Sequence, residues 1–385
     1  MRGLTSLFDE VVGDMVRILP NRWLHFACSM MLRRVYNTEE NRELKGISKA
    51  TGVKMYLLVC FNVLLDLFMG CSSGGAIVDD RSGGSKMLHF RTLDWGMPAL
   101  RRIIVQLDFK MSADGPIIAR SITYAGFVGV LTGVRKHLSM SLNFRPTHDE
   151  KGKFWSDVRY YGHHLMVLLG RRPSIASTLR GFLLPQSVRN GKTPWSKKEH
   201  VTSSYLETVE KLSNNSLTTT ACYLCLSDGD GTTVIEKDRI TANVRSDKDF
   251  IVITNNDIDD EANIMPPKEG EDEPENPFES ALAVIAHEAK DRRQCAEHNF
   301  HNMRAEKAKR LRNEQPRRSA IVDNELRTAM EVEDIIELVQ MYPTTNEVTH
   351  FACVLDPKEG TVAWCWKWDK PVSAKWIREH QSETW

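Results

Sequence analysis

The sequence lacks an excess of charge of either sign and has no long, uninterrupted hydrophobic run. Its 51 basic and 51 acidic residues cancel, and no basic stretch is interleaved with aromatic residues, so we expect no nucleic-acid partner. The most apolar segment, 55–68, contains Asn62 and Asp66 and is shorter than the roughly 20 residues that cross a bilayer. We therefore expect no transmembrane helix.

Regularly spaced cysteines and a secretion signal are also missing. The eight cysteines follow no regular spacing, which favours reduced thiols over a disulfide framework. Cys222 and Cys225 have no second cysteine pair at the spacing of a zinc site, so we expect neither a metal nor a cofactor. Residues 1–14 alternate apolar and acidic residues. They lack a basic start followed by an apolar run and a small-residue cleavage site, and from this we expect a cytoplasmic protein.

The hydrophobic pattern changes along the chain between helical and β-rich segments. Residues 1–69 have helical patterns, with Thr38 as a candidate N-cap and Gly52 as a left-handed helix end. The segment 257–277 is acidic, rich in proline and poor in large apolar residues, which is typical of a mobile surface loop.

Strands are expected in separate blocks, with helices between them. The expected helical segments are 54–68, 155–213 and 325–341. The expected strands are 76–79, 87–95, 103–109, 117–124, 137–144, 219–226, 232–237, 250–254, 349–355 and 361–367. Strands in blocks with helices segregated around them predict an α+β layered sandwich.

Cys71 follows Gly70 at the point where the helical segment changes to the first strand. A thiol at such a junction is a candidate nucleophile, although a single cysteine more often behaves as a small buried hydrophobe. Arg91 and Asp94 lie on the next expected strand. A glycine turn at 83–84 would fold that strand back beside the thiol.

Several motifs in order resemble those of the acid ceramidase and N-acylethanolamine acid amidase family. The mature chain of that family begins Cys-Thr-Ser, and its next strand carries Gly-Arg-Asn-Leu-Asp. The similar segments here are Cys71-Ser72-Ser73, Phe90-Arg91-Thr92-Leu93-Asp94, residues 43–52 with Phe61-Asn62, the glycine-rich run 124–133, Ile253-Thr254-Asn255-Asn256-Asp257 and Asp291-Arg292-Arg293. The resemblance covers roughly residues 38 to 367.

The resemblance implies a four-layer αββα fold of the N-terminal-nucleophile type. It divides the chain into a helical α fragment, residues 1–70, and a catalytic β fragment, residues 71–385, which would remain associated. Cys71 would attack the Gly70 carbonyl, cut the chain there and then act as the nucleophile on substrate. The freed α-amine, with an intrinsic pKa of about 8, would be the local base.

The resemblance also implies roles for four further residues. Asp94 would hold the new ammonium, Arg91 would orient the substrate, Asn255 would donate to the oxyanion and Arg292 would complete the site. From the residues alone, Arg91 and Asp94 could instead form a structural ion pair, and Asn255 could cap a turn.

The implied reaction is hydrolysis of the amide bond of an N-acyl lipid, such as a ceramide or an N-acylethanolamine, through a cysteinyl thioester. Contact with a membrane surface is a further expectation, because such substrates reside in membranes. Two alternatives remain open: an N-acyltransferase of the same fold, and a catalytically silent lipid-binding homologue.

The chain departs from the family at Phe144-Arg145, where the family has a Glu-Arg pair. Phenylalanine cannot titrate, so we expect an activity optimum near neutral pH, although the family it resembles is lysosomal. The alternative is that Asp149 or Glu150 supplies the carboxylate.

Overall fold

The computed structural model describes residues 21–64, 70–80, 83–149, 151–189, 198–259, 277–314 and 330–379. Its helices are α1 (Asn21–Met31), α2 (Thr38–Thr51), α3 (Met55–Leu64), α4 (Phe154–Leu168), α5 (Ile175–Leu183), α6 (Tyr205–Ser213), α7 (Pro277–Glu314), α8 (Val332–Gln340) and α9 (Ala374–Glu379). A 3₁₀ helix, Pro98–Ile103, precedes the third strand.

The strands are β1 (Gly70–Asp79), β2 (Ser85–Asp94), β3 (Ile104–Lys110), β4 (Ile117–Tyr124), β5 (Thr132–Arg135), β6 (Leu138–Phe144), β7 (Gln186–Arg189), β8 (Lys198–Val201), β9 (Cys222–Ser227), β10 (Thr232–Lys237), β11 (Ala242–Asp247), β12 (Phe250–Ile253), β13 (Thr349–Asp356) and β14 (Thr361–Lys367). Sheet I has the order β12-β1-β2-β13-β14, sheet II has the order β11-β10-β9-β6-β5-β4-β3, and β7 pairs with β8.

The first two strands pair along their whole length. Their antiparallel register runs from Gly70 opposite Asp94 to Asp79 opposite Ser85. The turn expected at 83–84 therefore does return β2 onto β1, and it carries Arg91 and Asp94 back beside the start of β1.

Helices cover the outer face of each sheet, and the two inner faces pack against each other. The helices α7 and α8 contact sheet I, and α5 and α6 contact sheet II. Because side chains alternate along a strand, Leu88 and Phe90 of β2 join the core under α7 and α8, whereas His89 and Arg91 face sheet II. The predicted α+β sandwich of four layers is confirmed.

The ends of α2 were predicted with one error. Asn37, not Thr38, is the N-cap: its side chain accepts a hydrogen bond from the Glu39 N–H at 2.8 Å. At the other end Gly52 is left-handed, with φ of 73°, and donates its N–H to the Ser48 carbonyl. The expected helix end at Gly52 is confirmed.

Some elements were not predicted from the sequence, or lie where the structure is not described. The strands β5, β7, β8 and β11 and the 38-residue length of α7 were missed. Most of the loop expected at 257–277, and residues 325–329 of the expected last helix, lie outside the described residues. Within the described ranges, no helix has the length and apolar character needed to cross a membrane.

Sheet II approaches β1 so closely that β1 has no room for a side chain at Gly75. A Cβ atom there would lie 1.9 Å from Oγ1 and 2.5 Å from Cβ of Thr232 on β10. Such a separation is far below van der Waals contact, so the distance between the two sheets depends on glycine at this position.

We predict that Gly75→Ala lowers the free energy of unfolding by about 1–3 kcal/mol, because the sheets must move apart to accept the methyl group. Urea unfolding followed by circular dichroism measures the change. The control is Gly46→Ala in α2, where nothing lies within 4 Å of the new Cβ and stability should rise by up to about 1 kcal/mol. Equal stabilities of the Gly75→Ala variant and the wild type would contradict the close packing.

Candidate active site

The structure brings all five residues predicted for the site into one cluster. Cys71 lies on β1, Arg91 and Asp94 on β2, Asn255 directly after β12, and Arg292 on α7. None of the five is more than 3% exposed. Because these elements are far apart in the chain, the site exists only when β12, β1 and β2 of sheet I and the helix α7 are assembled.

The Cys71 thiol lies between the two sheets, next to Arg91. Nη2 of Arg91 is 3.2 Å from Sγ, and Sγ is 3.9 Å from the Leu142 carbonyl oxygen. The guanidinium also donates to the Leu131 carbonyl at 2.5 Å and to the Leu142 carbonyl at 2.8 Å. Arg91 therefore links the thiol on sheet I to the main chain of sheet II.

The backbone N–H of Cys71 donates to Oδ1 of Asn255 at 2.7 Å. The same oxygen accepts from Nη2 of Arg292 at 3.0 Å, and Nδ2 of Asn255 donates to the Phe144 carbonyl at 2.8 Å. The amide thus presents its acceptor to Cys71, and the Phe144 contact uses one of its two N–H groups. The role of Asn255 as an oxyanion donor stays a prediction.

Asp94 approaches the same peptide from the neighbouring strand, β2. Asp94 is paired with Gly70 across the strands, and its Oδ2 forms an ion pair of 2.5 Å with Arg292. Its Oδ1 accepts from the Thr349 hydroxyl at 2.6 Å. Arg91 and Asp94 were considered as an ion pair with each other, but these contacts give each of them different partners.

Burial controls the ionisation of both reactive groups. It raises the pKa of the Cys71 thiol above its usual value, and the positive charge of Arg91 is the largest opposing influence. Burial also raises the pKa of Asp94, and Arg292 is the main group that opposes it. The arginines therefore offset part of the cost of keeping a thiolate and a carboxylate away from water.

Asp149, one of the two carboxylates considered as a replacement at Phe144, is not found beside Arg91 or Arg292. Asp149 instead pairs with Arg145 at 3.1 Å, and Glu150 lies outside the described residues. The carboxylate that contacts Arg292 is Asp94. The near-neutral activity optimum stays a prediction.

Two residues that contact Asp94 were not predicted from the sequence. Thr349 begins β13, and Asn346 precedes it, with Nδ2 3.4 Å from Oδ2 of Asp94. Both are about 250 positions from Asp94, and no local motif marks them. In the part of the chain that the structure describes, no group of three or more His, Cys, Asp or Glu side chains is placed to hold a metal ion.

Comparison with known proteins finds relatives in one family. An N-acylethanolamine-hydrolyzing acid amidase of Caenorhabditis elegans is 36% identical over 148 residues, which is 35% of this chain and 40% of that protein. The acid ceramidase of Mus musculus is 30% identical over 118 residues, 27% of this chain and 28% of that protein. The resemblance to the acid ceramidase and N-acylethanolamine acid amidase family is confirmed.

The match covers less than half the length of these relatives. A solved structure, the Caenorhabditis elegans N-acylethanolamine-hydrolyzing acid amidase (NAAA) ortholog, aligns with 77% of this chain and 100% of that chain, with a TM-score of 0.49 and 19% identity. No family model matches the chain.

We predict that Arg292→Met destabilises the protein by about 3–5 kcal/mol at neutral pH, because the Asp94 carboxylate stays buried without its cation. The loss should shrink as the pH falls through the pKa of Asp94, since a protonated carboxyl group needs no cation. Urea unfolding at about pH 7 and about pH 4.5 measures both values.

The control is Arg310→Met, further along α7. Arg310 lies near Glu306, and the two side chains are 75% and 73% exposed, so its loss should cost about 0–1 kcal/mol at either pH. If Arg292→Met costs the same at both pH values, Asp94 does not depend on Arg292 for its charge.

Proposed function

We propose that this protein is a cysteine amidohydrolase that cuts its own chain between Gly70 and Cys71 and then hydrolyses the amide bond of an N-acyl lipid. The observation that carries the proposal is the position of Cys71. Its thiol contacts Arg91, its N–H contacts Asn255, and the Gly70–Cys71 peptide lies opposite Asp94. The groups that a nucleophile and a departing amine require therefore surround one peptide bond.

Self-cleavage begins with attack of Sγ of Cys71 on the Gly70 carbonyl carbon. The C–N bond breaks, the Cys71 nitrogen takes a proton and becomes the α-amine, and the Gly70 acyl group is carried on sulfur as a thioester. Water then hydrolyses the thioester, giving the Gly70 carboxylate and the free Cys71 thiol. Arg91 favours the thiolate, and Asn255 Oδ1 holds the nitrogen as it changes from amide to amine.

Substrate hydrolysis repeats these steps on an external amide. The α-amine of Cys71, with an intrinsic pKa of about 8, takes the proton of the thiol as sulfur attacks the substrate carbonyl. It then gives a proton to the departing amine, and water releases the fatty acid from the thioester. Asp94 keeps the ammonium form of the amine oriented beside the thiol.

The fragments on either side of the cut share one core, and we infer that they stay together. Asn62 of α3 donates to the Gly126 carbonyl at 2.8 Å and accepts from the Val128 N–H at 2.7 Å. Phe61 packs edge to face on Phe127. Burial of these side chains does not depend on the Gly70–Cys71 bond.

An apolar cavity offers space for an acyl chain. Its volume of about 370 Å³ lies between α2 and the strands β3 and β4, within the usual size range of ligand pockets. Its lining includes Ile47, Val105, Leu107, Tyr124 and Phe127. This apolar lining supports a lipid amide, rather than a polar one, as the substrate.

We further propose that α4 docks on the membrane that holds the substrate. Phe154 and Trp155 are 70% and 68% exposed, and Val158, Tyr161 and Leu165 are also exposed. Helical spacing places Phe154, Val158, Tyr161 and Leu165 in one apolar stripe on the surface of α4, and Trp155 lies beside it. A stripe of this kind is typical of helices that bind at a membrane interface.

We predict that the double variant Phe154→Ser/Trp155→Ser binds phosphatidylcholine–phosphatidylserine vesicles about tenfold or more weakly. The reason is that two large apolar side chains are no longer transferred from water into the membrane on binding. Vesicle sedimentation measures the bound fraction. The control is Leu206→Ser on α6, which removes a side chain that is 75% exposed but belongs to no such stripe. Equal losses in both variants would exclude α4 as the docking surface.

The activity itself is tested by incubating the purified protein with ceramides and N-acylethanolamines and measuring free fatty acid by mass spectrometry. Cys71→Ala should be inactive. Asn255→Ala should lower kcat by about 10²–10³ with little change in KM, because the lost interaction acts mainly in the transition state. A wild-type protein that transfers the acyl group only to an added amine is an acyltransferase, and one that releases no product is a silent homologue.

Asn143→Ala is the matched control for Asn255→Ala. Asn143 is also buried, but it bonds Ser73 at 2.7 Å and the Thr254 carbonyl at 3.2 Å. Its loss should lower stability by about 1–3 kcal/mol and lower kcat per folded molecule by less than about tenfold. Equal effects of the two variants on kcat would remove Asn255 from the mechanism.

A further inference from the structure

Arg101 is a buried arginine for which the described residues provide no carboxylate at ion-pair distance. It lies in the 3₁₀ helix Pro98–Ile103 and is 1% exposed. Its partners are main-chain carbonyls. Nη1 donates to Thr349 at 2.5 Å, to Trp368 at 3.2 Å and to Lys370 at 3.5 Å, and Nη2 donates to Glu347 at 2.9 Å.

Two of these carbonyls belong to the turn 346–349, which supplies hydrogen-bond donors to Asp94. Within the turn, the Thr349 hydroxyl accepts from the Asn346 N–H at 2.9 Å and donates to Asp94 at 2.6 Å. The turn is also tied to the end of β2, since the Trp95 N–H donates to the Val348 carbonyl at 2.8 Å. Arg101 therefore fixes the segment that aims Thr349 at Asp94.

A buried guanidinium without a counterion is costly. Burial lowers the pKa of Arg101, and the nearby groups Tyr124 and Asp94 oppose that shift. A side chain that only filled space here would be cheaper as an apolar residue. A cation that binds four carbonyls can hold a main-chain segment in place, and here that segment is the turn 346–349. A nearby anion also stabilises the cation, and here that anion is the Asp94 carboxylate.

The groups that face Asp94 come from several elements. Arg292 projects from α7, Arg91 from β2, and Thr349 and Asn346 from the turn 346–349. The thiol of Cys71 lies within its electrostatic reach as well. Among these groups, Thr349 is held by Arg101 through its carbonyl, and Asn346 is held through its N–H by the Thr349 hydroxyl.

We propose that Arg101 is a positioning residue for the reaction: by holding the turn 346–349 it orients the Asp94 carboxylate beside the Gly70–Cys71 peptide. The proposal rests on the role of Asp94 in the proposed function. Arg101 touches none of the reacting atoms. It acts through Thr349, so removing the Thr349 hydroxyl should change the rate of cutting and its pH dependence in the same way as removing the Arg101 guanidinium.

The test compares Arg101→Lys, Thr349→Val and the double variant, using the rate at which the full chain is cut before Cys71. Each single variant should slow the cut roughly tenfold or more, as expected for losing a hydrogen bond to a charged group. The acid limb of the pH–rate profile should move up by about one pH unit, because an Asp94 with fewer donors takes up a proton at higher pH.

The double variant should be no slower than the slower single variant, since both changes remove one interaction. Thr349→Ser, which keeps the hydroxyl, should restore the rate and the pH profile. The control is Arg102→Lys, an exposed neighbour in the same 3₁₀ helix, which should behave as wild type. The proposal would be overturned if the double variant were slowed by the product of the two single effects. An unchanged pH profile in the single variants would also overturn it.

A second readout separates this proposal from the proposed function. In the Cys71→Ala protein, which performs no chemistry, Thr349→Val and Arg101→Lys should lower the melting temperature more at about pH 7 than at about pH 4.5, because only the ionised Asp94 needs their donors. Equal shifts at both pH values would refute the positioning role even if the wild type cuts itself. The expected shifts would show that Arg101 and Thr349 orient the Asp94 carboxylate, and this result would stand even if the wild type does not cut itself.

Discussion

The guanidinium of Arg91 is the contact on which the rest of the site depends. It is fully buried between the sheets, and it joins the Cys71 thiol of sheet I to the Leu131 and Leu142 carbonyls of sheet II. A charge in such a place is stable only when most of its N–H groups have partners. The position of the thiol is thereby set by the packing of the two sheets, and Gly75 is one reason that the sheets can approach so closely.

Burial of the site has one favourable and one unfavourable effect on the proposed reaction. It excludes water and strengthens the interactions of Arg91 and Arg292 with the groups they contact. It also raises the pKa of the Cys71 thiol, which makes the thiol a weaker nucleophile before the chain is cut. The α-amine that the cut would release is a base at the correct position, so the first reaction would prepare the site for the second.

The sequence allowed the clustering of the five candidate residues to be predicted more completely than the strands and helices around them. Cys71, Arg91 and Asp94 lie on adjacent paired strands, so their spacing and one glycine turn were enough to bring them together. Asn255 and Arg292 were found through motifs that resemble a known family. Thr349 and Arg101 could not be found in this way, because they reach Asp94 through contacts that join residues more than 245 positions apart.

The missed secondary structure has physical reasons too. The strand β11 lies at the edge of sheet II and is largely polar and mostly exposed, so it lacks the apolar alternation that marks a strand. The four-residue strand β5 follows a glycine-rich segment and is defined by its neighbours β4 and β6. The long helix α7 contacts sheet I, but it has many charged residues and little apolar periodicity along its length.

The most direct test of the central claim is the intact mass of the purified full-length chain beside that of Cys71→Ala. The account predicts that the wild type separates, under denaturing conditions, into a fragment that ends at Gly70 and one that begins with Cys71, while Cys71→Ala stays a single chain. A wild-type protein that remains uncut and yet hydrolyses N-acyl amides at full rate would contradict it, because no α-amine would then exist at Cys71.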